Sequence, residues 1–153
     1  MKQEDTIDFH IKRTWQAIAK MYNEWASTYG ATMATGFVLL NIDKVNGTPS
    51  TSLGPKMGME ATSLSRTLKS MEEKGLIERR PNPADGRSVL VFLTEFGIEK
   101  RRDAKNAVLT FNNTIFDQLP EQKLHHFFDV LNHINQQINN RKIKFDTYEE
   151  NNS

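Results

Sequence analysis

The chain has 153 residues, 37% hydrophobic and 25% charged, with a formal net charge of +1, a balance that suits one folded domain and excludes a disordered polar chain. No stretch approaches the roughly 20 apolar residues of a membrane span, and the opening Met1-Lys2-Gln3-Glu4-Asp5 leads into polar sequence without the apolar run of a secretory signal, so the cytoplasm is the expected compartment and no membrane partner is expected. Cysteine is absent, which excludes disulfides, thiolate zinc sites and thiol redox sensing.

In chain order, Ile7, Ile11, Trp15, Ile18, Tyr22, Trp25 and Tyr29 recur at steps of 3 and 4, one apolar stripe on a first helix that Gly30 closes. Such a stripe is expected to be core against other helices, or at its ends to join a dimer interface or line a ligand pocket. A second helix is expected from Thr35 to Val45, stopped by Asn46-Gly47 and Pro49. Residues 52–58 are expected to form at most a very short helix, with a cap near Ser52 that would keep Pro55 in the first turn, where no N–H is needed. Ala61 to Lys74 reads as a better helix, with Leu64, Leu68 and Met71 inward and Gly75 as its C-terminal cap.

The pattern then changes period. Residues 76–80 are short and extended, Pro81 to Gly86 has turn chemistry, and Ser88 to Leu93 is β-branched and aromatic, which together make a hairpin with an irregular tip. Thr94 is a good N-cap for a helix from Glu95 to Leu119, carrying Ala104, Val108, Phe111, Ile115 and Leu119 on one side. Pro120 then opens a last helix with Leu124, Phe127, Leu131, Ile134 and Ile138 at steps of 3 and 4. The polar tail after Lys144 is expected to fray.

Helix, short helix, turn, helix and hairpin make a winged helix-turn-helix, in which the second helix of the pair can enter a major groove while the first braces it. That helix carries Thr62, Ser63, Ser65, Arg66 and Lys69, with Thr62, Ser65, Arg66 and Lys69 directed outward once Leu64, Leu68 and Met71 turn inward. Arginine can bond guanine O6 and N7 or a phosphate, and hydroxyls reach base edges or phosphates, although any surface helix also has a solvated polar face. Asp85-Gly86-Arg87 puts an arginine at the hairpin tip, where it can enter a minor groove, and Asp85 can fix the tip by accepting from Arg87 or nearby main-chain N–H groups. Residues 51–102 hold ten basic and seven acidic side chains, which alone is a weak nucleic-acid footprint.

Over these segments the sequence resembles the MarR family of bacterial transcriptional regulators. The resemblance rests on Leu53-Gly54-Pro55-Lys56-Met57-Gly58-Met59, Leu64-Ser65-Arg66-Thr67-Leu68 and the run from Met71 to Arg79, and continues through Asp85-Gly86-Arg87 and Leu93-Thr94-Glu95-Phe96-Gly97. It implies a mainly α fold of six helices with a small β-hairpin wing, formed by a single domain over 1–153. Within it, 35–97 would be the DNA-binding part, and 5–30 and 98–143 the helices of a homodimer. It further implies a repressor on a pseudo-palindromic operator in double-stranded DNA, released in many relatives by a small aromatic or lipophilic effector, with no cofactor. Trp15, Tyr22 and Phe111 then become candidates for the effector pocket, beside their reading as core or interface. The sequence departs from the family pattern at Glu60, where Ser or Thr usually caps the recognition helix.

Two other classes stay open. A winged helix can contact protein instead of DNA, and steep salt dependence would mark the DNA binder. His125, Asp129 and His133 share one face of the last helix, which would permit a metal-dependent sensor or enzyme, but their face lies opposite the apolar stripe and reads more simply as solvated; no metal site and no enzyme is expected.

Overall fold

The computed structural model describes residues 2–145. After a single 3₁₀ turn at Gln3–Asp5 come α1 (Ile7–Ser27), α2 (Met33–Asn41), β1 (Thr48–Pro49), α3 (Ser50–Met57), α4 (Ala61–Glu73), β2 (Ile77–Pro81), β3 (Val89–Leu93), α5 (Glu95–Phe116) and α6 (Glu121–Asn139). Six α-helices and a three-stranded antiparallel sheet are thus formed by the described residues, and no helix among them is long and apolar enough to cross a membrane. The chain divides into two compact units, one ending at Val108 and one beginning at Leu109.

The core of the first unit is built by α2 to β3. Val38, Leu39 and Ile42 meet Leu53, the inward row Leu64, Leu68 and Met71, then Leu76, Ile77 and Val91. The spacing of the α4 row is what the sequence predicted, and burial of these side chains, each worth about 1.5–3 kcal/mol, fixes which face of α4 looks outward.

α2 starts earlier than the sequence suggested and ends four residues sooner. Thr32 caps it, accepting from the Thr35 N–H at 3.3 Å. Beyond Asn41 the Asp43 carboxylate accepts from the Val45 and Asn46 N–H groups at 2.8 Å each, a local turn that competes with helix. Arg101 from α5 donates to the carbonyls of Leu39 and Ile42, satisfying the end of α2 with a cation.

α3 also departs from expectation. It begins at Ser50 directly after β1, so Pro55 occupies its sixth position instead of its first turn, and Ser52 donates to the Pro49 carbonyl at 2.8 Å instead of capping. The Thr51 carbonyl, which loses its donor to Pro55, belongs to an exposed residue that water can serve. The cause is β1, a strand the sequence did not reveal: Thr48 pairs with Val91 and Pro49 with Leu90, giving the order β1-β3-β2. Proline is tolerated there because β1 is an edge.

The apolar stripe of α1 is not a core within this chain. Only Ala26 of α1 is buried, Ile18 and Tyr22 are half-buried, and Ile7 and Trp15 are 60% and 50% exposed. In the second unit α6 buries none of its residues, and Phe127 and Ile138 stay exposed while Leu124, Leu131 and Ile134 are half-buried.

The end of α4 is joined to the start of α5 through main chain. Gly75, at φ +70°, ends α4 in a turn where Leu76 N–H bonds the Met71 carbonyl at 2.9 Å and Gly75 N–H bonds that of Glu72 at 3.0 Å. Thr94 then donates its hydroxyl to the Gly75 carbonyl at 2.6 Å and its N–H to the Leu76 carbonyl at 3.1 Å, and accepts from Gly97 N–H at 3.0 Å as the cap of α5. A Cβ on Gly97 would lie 1.9 Å from the Leu76 oxygen, so no other residue fits without moving that carbonyl. Gly97→Ala should therefore lower unfolding stability by about 3 kcal/mol or more in urea titration. Gly86→Ala, where an added Cβ meets nothing within 4 Å, should stay within about 0.5 kcal/mol of the parent.

Candidate nucleic-acid interface

α4 presents the outward row the sequence predicted. Thr62, Ser63, Ser65, Arg66 and Lys69 are all exposed, and Leu64, Leu68 and Met71 behind them are buried. Glu60 is the N-cap residue and its side chain makes no capping bond. No carboxylate among the described residues pairs with Arg66 or Lys69. Their charge is therefore unneutralised on the exposed side of a helix held from behind.

The wing is β2 and β3, paired from Ile77↔Leu93 to Pro81↔Val89. Its tip is ordered by side chains. Asn82 donates to Ser88 Oγ at 2.9 Å and accepts from Ala84 N–H at 3.0 Å, while the Asp85 carboxylate accepts from the Arg87 main-chain N–H at 2.9 Å. Asp85 thus holds the backbone of Arg87 and leaves its guanidinium without a carboxylate partner among the described residues; Asp85, Gly86 and Arg87 are exposed.

The other wing arginines are engaged. Arg79 donates through Nε to Glu72 at 2.9 Å, tying β2 to α4. Arg80 bonds Glu78 at 2.8 Å and lies 4.3 Å from the Phe92 ring centroid. The Arg79 guanidinium holds the Glu72 carboxyl below its ordinary value, chiefly by hydrogen bonding, and Arg79 is raised by the same bond. These are bonds of structure and of spacing between helix and wing.

The first unit contains a cavity of about 370 Å³ whose aromatic walls are Trp25, Tyr29 and Phe96 and whose charged groups are Lys74, Lys100 and Asp103. Of the sequence candidates for a pocket, Trp15 stacks on Phe37 with centroids 6.5 Å apart, and Tyr22 meets the same ring edge-on at 6.4 Å and lines a smaller cavity of about 30 Å³. Phe111 is half-buried in the second unit. The large cavity draws on α1, α2, the α4–β2 turn and α5, so sequence spacing could not assemble it; only Trp25 and Tyr29 carried a signal, as members of the α1 stripe. Among the described residues no group of three or more His, Asp or Glu is placed to hold a metal, and His125 instead lies 3.3 Å from Glu121.

The MarR family model matches residues 31–89. An uncharacterized HTH-type transcriptional regulator, YdgJ of Bacillus subtilis, is 31% identical over 88 residues, 58% of this chain and 54% of its own length. The chain therefore spans about half of that relative. Among solved structures, CouR from Rhodococcus jostii RHA1 bound to p-coumaroyl-CoA superposes with a TM-score of 0.74 at 25% identity, covering 88% of this chain and 94% of that one. The MepR–DNA complex of S. aureus gives a TM-score of 0.80 at 17% identity, over 87% of this chain and 98% of that one, a likeness of fold.

The Glu72–Arg79 bond has a pH signature. Glu72 is depressed in the folded chain, so what the pair contributes is present above the ordinary glutamate value and is lost as pH falls through the lowered one. A ¹³C titration of the Glu72 carboxyl should show a midpoint below that of an unpaired glutamate, and Arg79→Met should return it upward. An unmoved midpoint would mean that the contact is not held in solution.

Proposed function

We propose that the chain is a MarR-family repressor of transcription that binds a pseudo-palindromic operator in double-stranded DNA as a homodimer, with α4 in the major groove and the tip of the wing in the adjacent minor groove. The observation that carries this reading is the set of cations with no carboxylate partner among the described residues, Arg66 and Lys69 on the outward row of α4 and Arg87 at the ordered tip, carried on one compact unit. Thr62, Ser63 and Ser65 supply short hydroxyls for base edges and phosphates between them. Asp85 and Gly86 shape the tip so that the Arg87 side chain can project.

Dimerisation accounts for the exposed apolar side chains of both ends of the chain. Ile7, Ile11 and Trp15 in α1, with Ile115 in α5 and Phe127 and Ile138 in α6, would each cost free energy in water and are best covered by a second copy. In this reading 5–30 and 98–143 carry the dimer, and 35–97 the DNA. The cavity of about 370 Å³ is of a size for a small aromatic or lipophilic effector, whose binding would release the operator. Trp15 and Tyr22, beside Phe37, line the approach to α2 and serve packing in this account, as does Phe111.

Genomic footprinting of bound sites tests the geometry, since two recognition helices require half-sites whose centres lie about 10 base pairs apart or a multiple of that. Arg66→Ala should cost about 1–3 kcal/mol at one base position if it reads a guanine, and Arg87→Ala should lower the slope of log affinity against log salt by about one. A stable monomer in sedimentation, or equal affinity for all duplexes in dilute salt, would overturn the proposal; salt-insensitive binding to a protein partner would favour an interaction module instead.

A further inference from the structure

One side chain at the start of α4 has the wrong sign for a surface that meets a polyanion. Glu60 is the N-cap residue of α4, with extended backbone at φ −61° and ψ 143° and an exposed side chain. Its place is fixed from both sides. Before it, Gly58 is left-handed at φ +61°, and the Met59 N–H bonds the Gly54 carbonyl at 3.0 Å. After it, the Glu60 carbonyl accepts from the N–H of the buried Leu64 at 3.0 Å.

The fold leaves the carboxylate of this residue unused. It makes no capping bond to the first turn of α4, and no Lys, Arg or His among the described residues is ion-paired with it. It borders an open groove of about 600 Å³ between α3 and α4, and among the residues lining that groove Glu60 alone is charged. Serine, threonine, aspartate or asparagine at an N-cap bonds an N–H of the first turn, so a glutamate here forgoes local stability. A carboxylate on this surface also repels phosphates and weakens binding to every duplex. Two such losses at one exposed residue call for a gain outside the fold.

The first residues of a recognition helix are the ones that reach base edges in the major groove. An ionised carboxylate can only accept hydrogen bonds. In the major groove cytosine offers the N4 amino donor, thymine and guanine turn acceptors outward, and adenine sets the N7 acceptor beside its N6 donor. We propose that Glu60 is a specificity-determining residue of α4: its carboxylate accepts from the N4 amino group of a cytosine and rejects thymine at the same pair, where O4 would face it. This rests on the reading of α4 as the recognition helix. The repulsion of phosphates then serves selectivity, because the charge penalises all duplexes and only those with the donor in place recover the loss.

The test uses the full chain and a pool of duplexes randomised over about 20 base pairs, long enough for two half-sites. Sequences selected by the parent are compared with those selected by Glu60→Gln and Glu60→Ser. Glutamine keeps the shape without the charge, and its amide can turn a donor to thymine O4 as readily as an acceptor to cytosine N4. Serine supplies the missing cap. Single-pair changes in the parent's selected duplex are then measured by fluorescence anisotropy. The parent should show a half-site position at which cytosine is preferred to thymine about tenfold. In both variants that ratio should fall to about twofold or less, while affinity for an unselected duplex rises. The thermal midpoint of Glu60→Ser should equal or exceed the parent's, which separates loss of discrimination from loss of fold. If both variants keep the parent's preference at every position, Glu60 reads no base and the proposal falls, although the operator reading stands. A loss of affinity that is uniform across sequences would overturn it too, since it marks a structural role. If the parent selects no sequence from the pool, the operator reading fails and takes this proposal with it.

Discussion

The recognition helix, the wing and the long helix α5 meet at one main-chain knot, and the rest of the DNA-facing geometry depends on it. Thr94 grips the carbonyls of Gly75 and Leu76 with its hydroxyl and its N–H, while its hydroxyl also caps α5 through Gly97. Gly97 lets the α5 backbone approach the Leu76 carbonyl more closely than any side chain allows. The turn that ends α4 is thereby fixed at the same point from which β2 departs. Since α4 is a rigid helix and β2 pairs with β3 along its whole length, fixing that point fixes where the outward row stands relative to the wing. The Glu72–Arg79 bond then braces the same pair of elements one turn further along.

This arrangement explains why the Leu-Thr-x-x-Gly run reads so clearly in the sequence: each of its polar positions has one physical task that few residues can perform. The same holds for Gly75 and for the Leu64, Leu68, Met71 row, whose spacing alone gives the inward face of α4. Where information was missing, the cause is also physical. β1 is only two residues long and contains a proline, so neither periodicity nor propensity marks it, yet its pairing to β3 sets the start of α3 and displaces Pro55 from the first turn. The early end of α2 follows from the Asp43 turn, and Arg101 secures it by reaching carbonyls some sixty residues away in sequence, a contact no local pattern encodes. The α1 stripe is legible as a helix, but its burial is not, because period gives a face and not the identity of what covers it.

The cavity was the least legible feature. Its lining comes from four separate elements, and one of its residues, Lys74, looks in sequence like an ordinary basic residue near a helix end, where it would complement the helix dipole. Its side chain instead turns toward α1.

Charge in this chain is best weighed by what it is bonded to. Of the ten basic residues between 51 and 102, Lys74, Arg79, Arg80, Lys100 and Arg101 hold carboxylates or carbonyls, and Lys56, Arg66, Lys69, Arg87 and Arg102 have no such partner among the described residues. The engaged five hold the winged module together, and the field of Arg79, Arg80 and Lys100 is largely cancelled at close range by the carboxylates they bond. The free five are available to an external anion, and three of them stand where the recognition helix and the wing tip project. A modest net surplus over this segment is therefore compatible with a strongly cationic contact surface, because pairing removes charge from the interior of the module and leaves it at the edges that meet a polyanion. Net charge counts the two groups alike; only the geometry separates them.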